Sequence, residues 1–186
     1  MPVRVFAAAA ALLGADPQFR SDVNNVEEFI AGMIFGLIQK DDLSNIQACL
    51  TDADTLEKQV EEAIADLSKG DLNDLIAGAK ILMQIVQELP SDLKNCESMQ
   101  GDLNRIVAWA NQFSNPQVFI ETVTKNVLTH FATITTDINK ATSDFTDAKF
   151  YDAGSDVADV LVQTLGQVPE VTPETLTITN WWLSNY

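Results

Sequence analysis

The sequence predicts an all-α protein: an up-and-down bundle of five or six helices with one interhelical disulfide and an extended C-terminal arm. Apolar residues recur at spacings of three and four along most of the chain, as they do on the buried side of an amphipathic helix. Short breaks separate these stripes and carry residues that cap or end helices, such as Gly70 and Ser114-Asn115-Pro116. Because loops this short make neighbouring helices antiparallel, the helical domain is predicted to be one bundle spanning residues 22–169.

The first helix is predicted to begin after Asp22, which can cap it, and to be the most buried of the set. Its stripe contains Val23, Val26, Phe29, Ile30, Met33, Ile34, Leu37 and Ile38, and Phe35 widens it. Gly32 and Gly36 lie four residues apart on the same helix. In a membrane such a pair favours dimerisation, but in a segment this short it indicates tight packing inside the core.

The second helix is predicted to begin after Asp41-Asp42 and to run to Leu67. The acidic cluster Asp52-Ala53-Asp54 can break it into two pieces. A third helix follows from Asp71, whose side chain can cap it, and is predicted to end at Pro90, since proline interrupts the helical hydrogen bonds.

The fourth helix is predicted to be capped by Ser91 and to continue to Phe113. The fifth begins at Pro116 and continues for some thirty residues; its many threonines lower helix propensity, so it is either held by packing or kinked near Thr135-Thr136. The last helix carries Phe150, Gly154, Val157, Leu161 and Leu165, and ends at Gly166 and Pro169.

The charge of the chain limits its partners. Twenty-seven acidic residues against 11 basic ones give a formal net charge of −16. Such a chain repels nucleic acid and anionic membrane surfaces, because phosphate binding needs clustered Lys and Arg. The charge favours solubility and cationic partners, although a well-solvated surface explains it equally.

The N-terminal residues 1–15 resemble a secretory signal peptide. Arg4 precedes an apolar run from Val5 to Leu13, and the small residues Gly14 and Ala15 follow, with cleavage expected after Ala15. The alternative is a short alanine-rich helix that stays in the mature protein. The predicted location is secreted or extracellular, with the lumen of a secretory vesicle or organelle as the alternative. No other apolar run is long enough for a membrane span.

The two cysteines, Cys49 and Cys96, lie on the apolar stripes of the second and fourth predicted helices. In a secreted chain they favour one disulfide, and in the cytosol they would be two buried thiols. A bridge closing a loop of about 48 residues would remove unfolded-state entropy worth roughly 4 kcal/mol. The bridge would be structural, because the spacing is not that of a C-x-x-C redox motif.

No motif for catalysis, cofactor binding or zinc is found. His130 is the one histidine, and its apolar neighbours favour a partly buried structural role over a catalytic one. The sequence has no G-x-S-x-G turn, no phosphate-binding glycine loop and no Glu-x-x-His pair of the di-iron bundles. We therefore expect no enzyme, no cofactor and no catalytic residue.

Calcium is the one ion that the acidic residues suggest. Oxygen ligands are offered by Asp52 and Asp54, and by the run Asp144, Asp147, Asp152 and Asp156. Neither cluster has the glycine and terminal glutamate of an EF-hand loop. Helix capping and a solvated surface explain both clusters more simply, so no metal site is predicted.

The segment 170–186 is the predicted interaction element. Its alternating apolar residues indicate extended chain, and it contains two of the three tryptophans, Trp181 and Trp182, with Tyr186. Leaving such large apolar surfaces in water is unfavourable, so the arm is expected either to fold back along its own bundle or to dock into a neighbouring subunit. Docking between subunits would give a homo-oligomer or an open filament.

Several of these features together resemble a family of uncharacterised secreted helical proteins found in ciliates and other protists. They are the glycine-spaced Phe29–Gly36 helix, Ile46-Gln-Ala-Cys49, Leu89-Pro90 followed by Leu93-Lys-Asn-Cys96, Phe113-Ser-Asn-Pro116 with Phe119, and Gly154 before Val160-Leu161. The resemblance spans roughly Val23 to Pro169 and implies a Cys49–Cys96 pair and an extracellular or vesicular setting. It implies no activity.

We therefore expect a non-enzymatic secreted structural or interaction protein that binds a protein partner or itself through the arm. The alternative is a carrier of a small apolar ligand held between helices, since bundle interiors can form such pockets.

Overall fold

The structure is a computed structural model that describes residues 23–50 and 53–170. Within those ranges the chain forms seven α-helices and no β-strand, so the predicted all-α bundle is confirmed. The helices are α1 (Val23–Ile38), α2 (Leu43–Cys49), α3 (Asp54–Lys69), α4 (Leu72–Asp92), α5 (Gln100–Ala110), α6 (Pro116–Thr146) and α7 (Phe150–Leu165). Two short 3-10 turns, Glu97–Met99 and Asn111–Phe113, precede and follow α5.

Two predicted segments lie outside the described residues. One is the signal peptide, residues 1–15. The other is the C-terminal arm beyond Glu170, with Trp181, Trp182 and Tyr186. Both stay predictions.

Helix α1 lies at the centre of the core, as predicted. Phe29, Ile30, Met33 and Ile34 are completely buried on it. Its two glycines face α7: a Cβ atom at Gly32 would lie 1.9 Å from the carbonyl oxygen of Tyr151, and one at Gly36 would lie 2.5 Å from the Ala158 Cβ. The two helices therefore run parallel with their backbones almost in contact, which confirms the tight packing inferred from the glycine spacing.

Helices α3 and α4 form an antiparallel hairpin that turns at the predicted boundary, Gly70-Asp71. Gly70 ends α3 in the left-handed conformation with φ 77°, which glycine adopts without a Cβ penalty. The Asp71 side chain then accepts hydrogen bonds from the backbone N–H groups of Asn73 and Asp74 and caps α4. The acidic cluster was expected to allow a break in the second predicted helix, and the structure has two helices in its place: α2 ends at Cys49 and α3 begins at Asp54.

The prediction for residues 90–99 was wrong. Helix α4 continues through Pro90 to Asp92, and Ser91 starts no new helix. Proline removes one N–H group, but in the last turn the cost is small, and the backbone N–H of Leu93 still donates to the Leu89 carbonyl oxygen at 2.8 Å. Cys96 consequently lies outside any α-helix, just before the Glu97–Met99 turn.

Cys49 and Cys96 form a disulfide, with their Cα atoms 5.4 Å apart. The bridge joins the last residue of α2 to the connection between α4 and α5. The prediction that Cys96 lies on the fourth helix was wrong, because the helix that follows α4 begins only at Gln100.

Helix α6 bends at a different place from the one predicted. Its backbone leaves the helical region at His130, where φ is −119° and ψ is 20°, five residues before Thr135. Thr135 and Thr136 instead donate their hydroxyls to the carbonyl oxygens of Phe131 and Ala132 at 2.8 and 2.9 Å, so the helix continues there. His130 itself is exposed, and its predicted partly buried position was wrong.

Candidate interaction surface on helix α6

The first third of α6 extends beyond the end of α7, the helix that packs along the rest of α6. Helix α6 has 31 residues, whereas its antiparallel neighbour α7 has 16. The side-chain amide of Asn126 donates to the carbonyl oxygen of Thr164 at 2.9 Å, which fixes the end of α7 beside Asn126. Residues 116–125 therefore project past α7 by about 15 Å.

The first half of α6, residues 116–131, is buried along one stripe. Phe119, Val123 and Val127 are buried at 6%, 0% and 2% exposure. Outside this buried stripe, Val118, Ile120, Leu128 and Phe131 are 43%, 47%, 73% and 51% exposed. In the described part of the chain these four are the exposed large hydrophobic residues, and all lie on α6. The helical repeat places Ile120, Leu128 and Phe131 within about 80° of one another around α6 and Val118 on another side. We refer to Ile120, Leu128 and Phe131 as the α6 apolar face.

A groove lies next to this face, between α4 and the start of α6. Its volume is about 450 Å³, and its lining is mainly apolar, with Ile76, Met83, Phe113, Pro116, Phe119 and Ile120. The Phe113 ring packs edge-on against the buried Trp109 ring, with centroids 5.8 Å apart, which holds that wall in place. Ile120 belongs both to the groove and to the α6 apolar face, so the two form one surface.

The α6 part of this surface carries almost no charge, and the groove wall on α4 adds Lys80. Residues 116–136 contain one acidic residue, Glu121, and one basic residue, Lys125, whereas the whole chain has a net charge of −16. Depletion of charged residues is the compositional mark of the centre of a protein interface. This is therefore the region where a second acidic molecule can approach with the least repulsion.

The chain leaves the bundle beside α5 and the end of α1. Helix α7 ends at Gly166, which has φ 97°, and Val168 is buried. The Arg105 side chain then donates from Nε to the Pro169 carbonyl oxygen at 2.7 Å. Arg105 is in α5, eight residues before Phe113 at the groove, a separation of about 12 Å along a helix. The predicted arm thus begins beside α5, the helix that leads to the groove wall at Phe113.

Several acidic residues outside this surface pair with lysines. Lys140 Nζ lies 2.5 Å from a carboxylate oxygen of the nearly buried Asp156, and Lys149 Nζ lies 3.1 Å from one of Asp144. Burial raises the pKa of the Asp156 carboxyl, and the ion pair with Lys140 opposes that rise. The hydrogen bond to Asp156 raises the pKa of Lys140.

A second ion-pair group joins α1 to α5. Lys40 follows α1 and contacts the carboxylates of Asp102 and, at 3.5 Å, Asp42. The hydrogen bond to Asp102 raises the pKa of Lys40. These contacts tie helix ends together and leave the α6 surface untouched.

The structure also bears on the calcium hypothesis. Across residues 23–50 and 53–170, no group of three or more His, Cys, Asp or Glu side chains is placed to hold a metal ion. Lysines occupy the positions beside Asp144 and Asp156 that a cation would need. Asp52 lies outside the described residues.

The α6 surface was not predicted from the sequence. The stripe that predicted this helix consists of the residues that are buried, and Val118, Ile120 and Leu128 are apolar residues in addition to it. These additional apolar residues on the helix were the signal in the sequence that could have revealed the surface. Phe131 was assigned to the buried stripe; the departure from helical geometry at His130 places it outside the core instead.

Residues 10–165 match the family described as SctB-like, secreted protein B-like. The match covers most of the chain. The chain belongs to the secreted protein B-like family. No curated protein and no solved structure shows significant similarity to it.

Family membership supports a secreted or extracellular protein, in agreement with the predicted location. It also confirms, at this level, the resemblance to a secreted family; a source in ciliates or other protists stays a prediction. None of the helices in the described segments is both long and apolar enough to cross a membrane.

Proposed function

We propose that this member of the secreted protein B-like family is a non-enzymatic structural or interaction protein that self-assembles through its C-terminal arm. The observation that carries the proposal is the α6 apolar face, three large exposed hydrophobic side chains of which Ile120 also lines an apolar groove. Contiguous exposed apolar patches of this kind mark protein interaction sites in soluble proteins.

The distribution of charge supports association between copies of the chain. Two molecules of net charge −16 repel each other over most of their surfaces. Residues 116–136 contribute no net charge, and residues 171–186 contain a single charged residue, Glu174. Contacts through these two segments would bury apolar surface without bringing acidic groups together.

Sedimentation of the full-length secreted chain over a wide range of concentrations tests the proposal. We expect a mass above that of the monomer, rising with concentration. The double variant Leu128→Asp/Phe131→Asp should weaken association by at least roughly a hundredfold, because fully burying each side chain contributes about 1.5–3 kcal/mol. Thr133→Asp/Asn139→Asp is the matched control: it adds the same charge at exposed positions of the same helix and should associate like the wild type.

The arm is tested in the same assay. Replacing Trp181 and Trp182 by alanine in the full-length chain should return it to the monomer. A wild-type chain that stays monomeric at every concentration contradicts self-assembly. A chain whose assembly is indifferent to both tryptophans contradicts the role of the arm.

The groove favours a second candidate function, a carrier of a small apolar ligand. Its volume of about 450 Å³ and its apolar lining fall in the range of small-molecule sites. Native mass spectrometry of the secreted protein would reveal a bound lipid or pigment. Ile120→Asp, at the half-exposed wall of the groove, should release such a ligand, and Thr133→Asp should retain it.

A further inference from the structure

We infer that the α4–α6 groove and the α6 apolar face together form the docking site for residues 171–186 of this chain. The inference rests on the proposed role of the arm and adds the surface that receives it. Three independent observations support this occupant: where the chain leaves the bundle, the chemistry of the segment, and the charge of the two surfaces.

The first observation is position. Helix α7 ends beside Asn126, where the uncovered part of α6 begins, and the Arg105–Pro169 hydrogen bond holds the following chain against α5. From Glu170 to Trp181 there are eleven residues, which span up to about 36 Å when extended. The groove wall at Phe113 is about 12 Å from Arg105 along α5 and its following turn, so the arm can reach it with slack.

The second observation is chemical fit. The segment carries Val171, Leu176, Ile178, Trp181, Trp182, Leu183 and Tyr186 among polar residues, and the surface offers an apolar floor with a polar rim. Gln84, Gln87 and Ser114 line the groove beside its apolar residues and supply acceptors for an indole N–H. Lys80, also in the lining, can lie over an aromatic ring.

The third observation is charge. The docking site and the segment are both nearly uncharged, whereas the protein as a whole is strongly acidic. The two can therefore come together with less electrostatic repulsion than other pairs of surfaces on this protein. The short path from Glu170 gives the chain's own arm a high effective concentration at the groove. The same contact made between two copies is the exchanged oligomer of the proposed function.

A cysteine pair in the full-length chain tests the site. Ile120→Cys is combined with Ser184→Cys, which keeps both arm tryptophans, and the control combines Thr133→Cys with the same arm cysteine. Both helix positions are exposed, but Thr133 lies outside the proposed site. Under mild oxidation we expect the Ile120→Cys pair to cross-link at least roughly tenfold faster, the ratio that 1.4 kcal/mol of docking preference produces. Peptide mapping confirms that Cys49–Cys96 stays intact.

The mass of the cross-linked product tests the docking site and self-assembly independently. A cross-linked dimer supports both. A cross-linked monomer supports the docking site and, with monomeric sedimentation, overturns self-assembly. Equal cross-linking at positions 120 and 133 overturns the docking site whatever the mass of the protein. If the chain assembles through Leu128 and Phe131 without preferential cross-linking, the α6 apolar face pairs with another surface and the inference fails.

Tryptophan fluorescence gives a second test without added thiols. Two of the three tryptophans are in the arm, and the third, Trp109, is 3% exposed and contributes a constant background. Ile120→Asp should shift the emission to the red and increase quenching by acrylamide, whereas Thr133→Asp should change neither. Identical spectra for the two variants would overturn the inference.

Discussion

Replacing Gly32 by alanine adds one methyl group at the closest contact between α1 and α7. The new Cβ atom would lie 1.9 Å from the Tyr151 carbonyl oxygen and 2.7 Å from its carbonyl carbon. Both atoms belong to the backbone, so no side chain can rotate away. The helices must separate by at least about 1 Å before the contact becomes one that real methyl groups make.

The cost follows from what surrounds the contact. Phe29, Met33 and Val157 are completely buried at this interface, and a radial gap of 0.5–1 Å forfeits roughly a quarter to a half of the dispersion energy of each affected atom pair. Overpacking a core costs about 1–3 kcal/mol. The higher helix propensity of alanine returns up to about 1 kcal/mol. We expect a net loss of about 2 kcal/mol, which lowers the Tm by roughly 4–8 °C for a domain of this size.

Gly101→Ala is the matched control. Gly101 is also helical, but a Cβ atom there meets nothing within 4 Å. The substitution should therefore stabilise by a few tenths to about 1 kcal/mol through propensity alone. Thermal and urea unfolding followed by circular dichroism would show the two variants moving in opposite directions. If Gly32→Ala were as stable as Gly101→Ala, the close α1–α7 contact described here would be wrong.

Two further predictions concern the disulfide and a buried carboxylate. Replacing Cys49 and Cys96 by serine should lower the free energy of unfolding by roughly 4 kcal/mol, since the bridge spans 47 positions; reductant should then affect the unfolding of the wild type but not of the variant. Burial raises the pKa of Asp156 above its usual 3.8, so the stability that protonation contributes is fully present below pH 3.8 and is lost as the pH rises through the folded-state pKa. Asp156→Asn should therefore stabilise at pH 7, with the advantage shrinking toward pH 4 in urea unfolding; a constant difference across that range would refute the assignment.

The helix boundaries that the sequence predicted correctly depend on local chemistry. A glycine at a left-handed position, an aspartate that caps and a proline in a first turn act within a few residues, so Gly70, Asp71 and Pro116 marked boundaries that the structure contains. The Gly32–Gly36 pair also predicted close packing, although not that α7 is the partner.

The incorrect predictions have tertiary causes. Pro90 is a helix breaker by propensity, but the packing of the buried residues around it carries α4 two residues further. The non-helical backbone at His130 lies on a helix whose repeat continues without interruption on both sides, so periodicity could not place it.

The candidate surface shows the same limit. Apolar periodicity identifies which side of α6 is buried, but the exposure of Ile120 depends on where α7 ends relative to Asn126. That register is set by contacts between helices far apart in sequence. The arm residues Trp181, Trp182 and Tyr186 were predicted from composition alone, and their role as the interaction element stays a prediction.

The mass of the full-length chain in solution at increasing ionic strength tests the central claim most directly. If the charge-poor α6 surface and the arm hold copies of a −16 chain together, salt screens the repulsion and association should strengthen, while Leu128→Asp/Phe131→Asp remains monomeric. A chain that is monomeric at every salt and protein concentration, or an assembly that the double variant leaves unchanged, would contradict the claim.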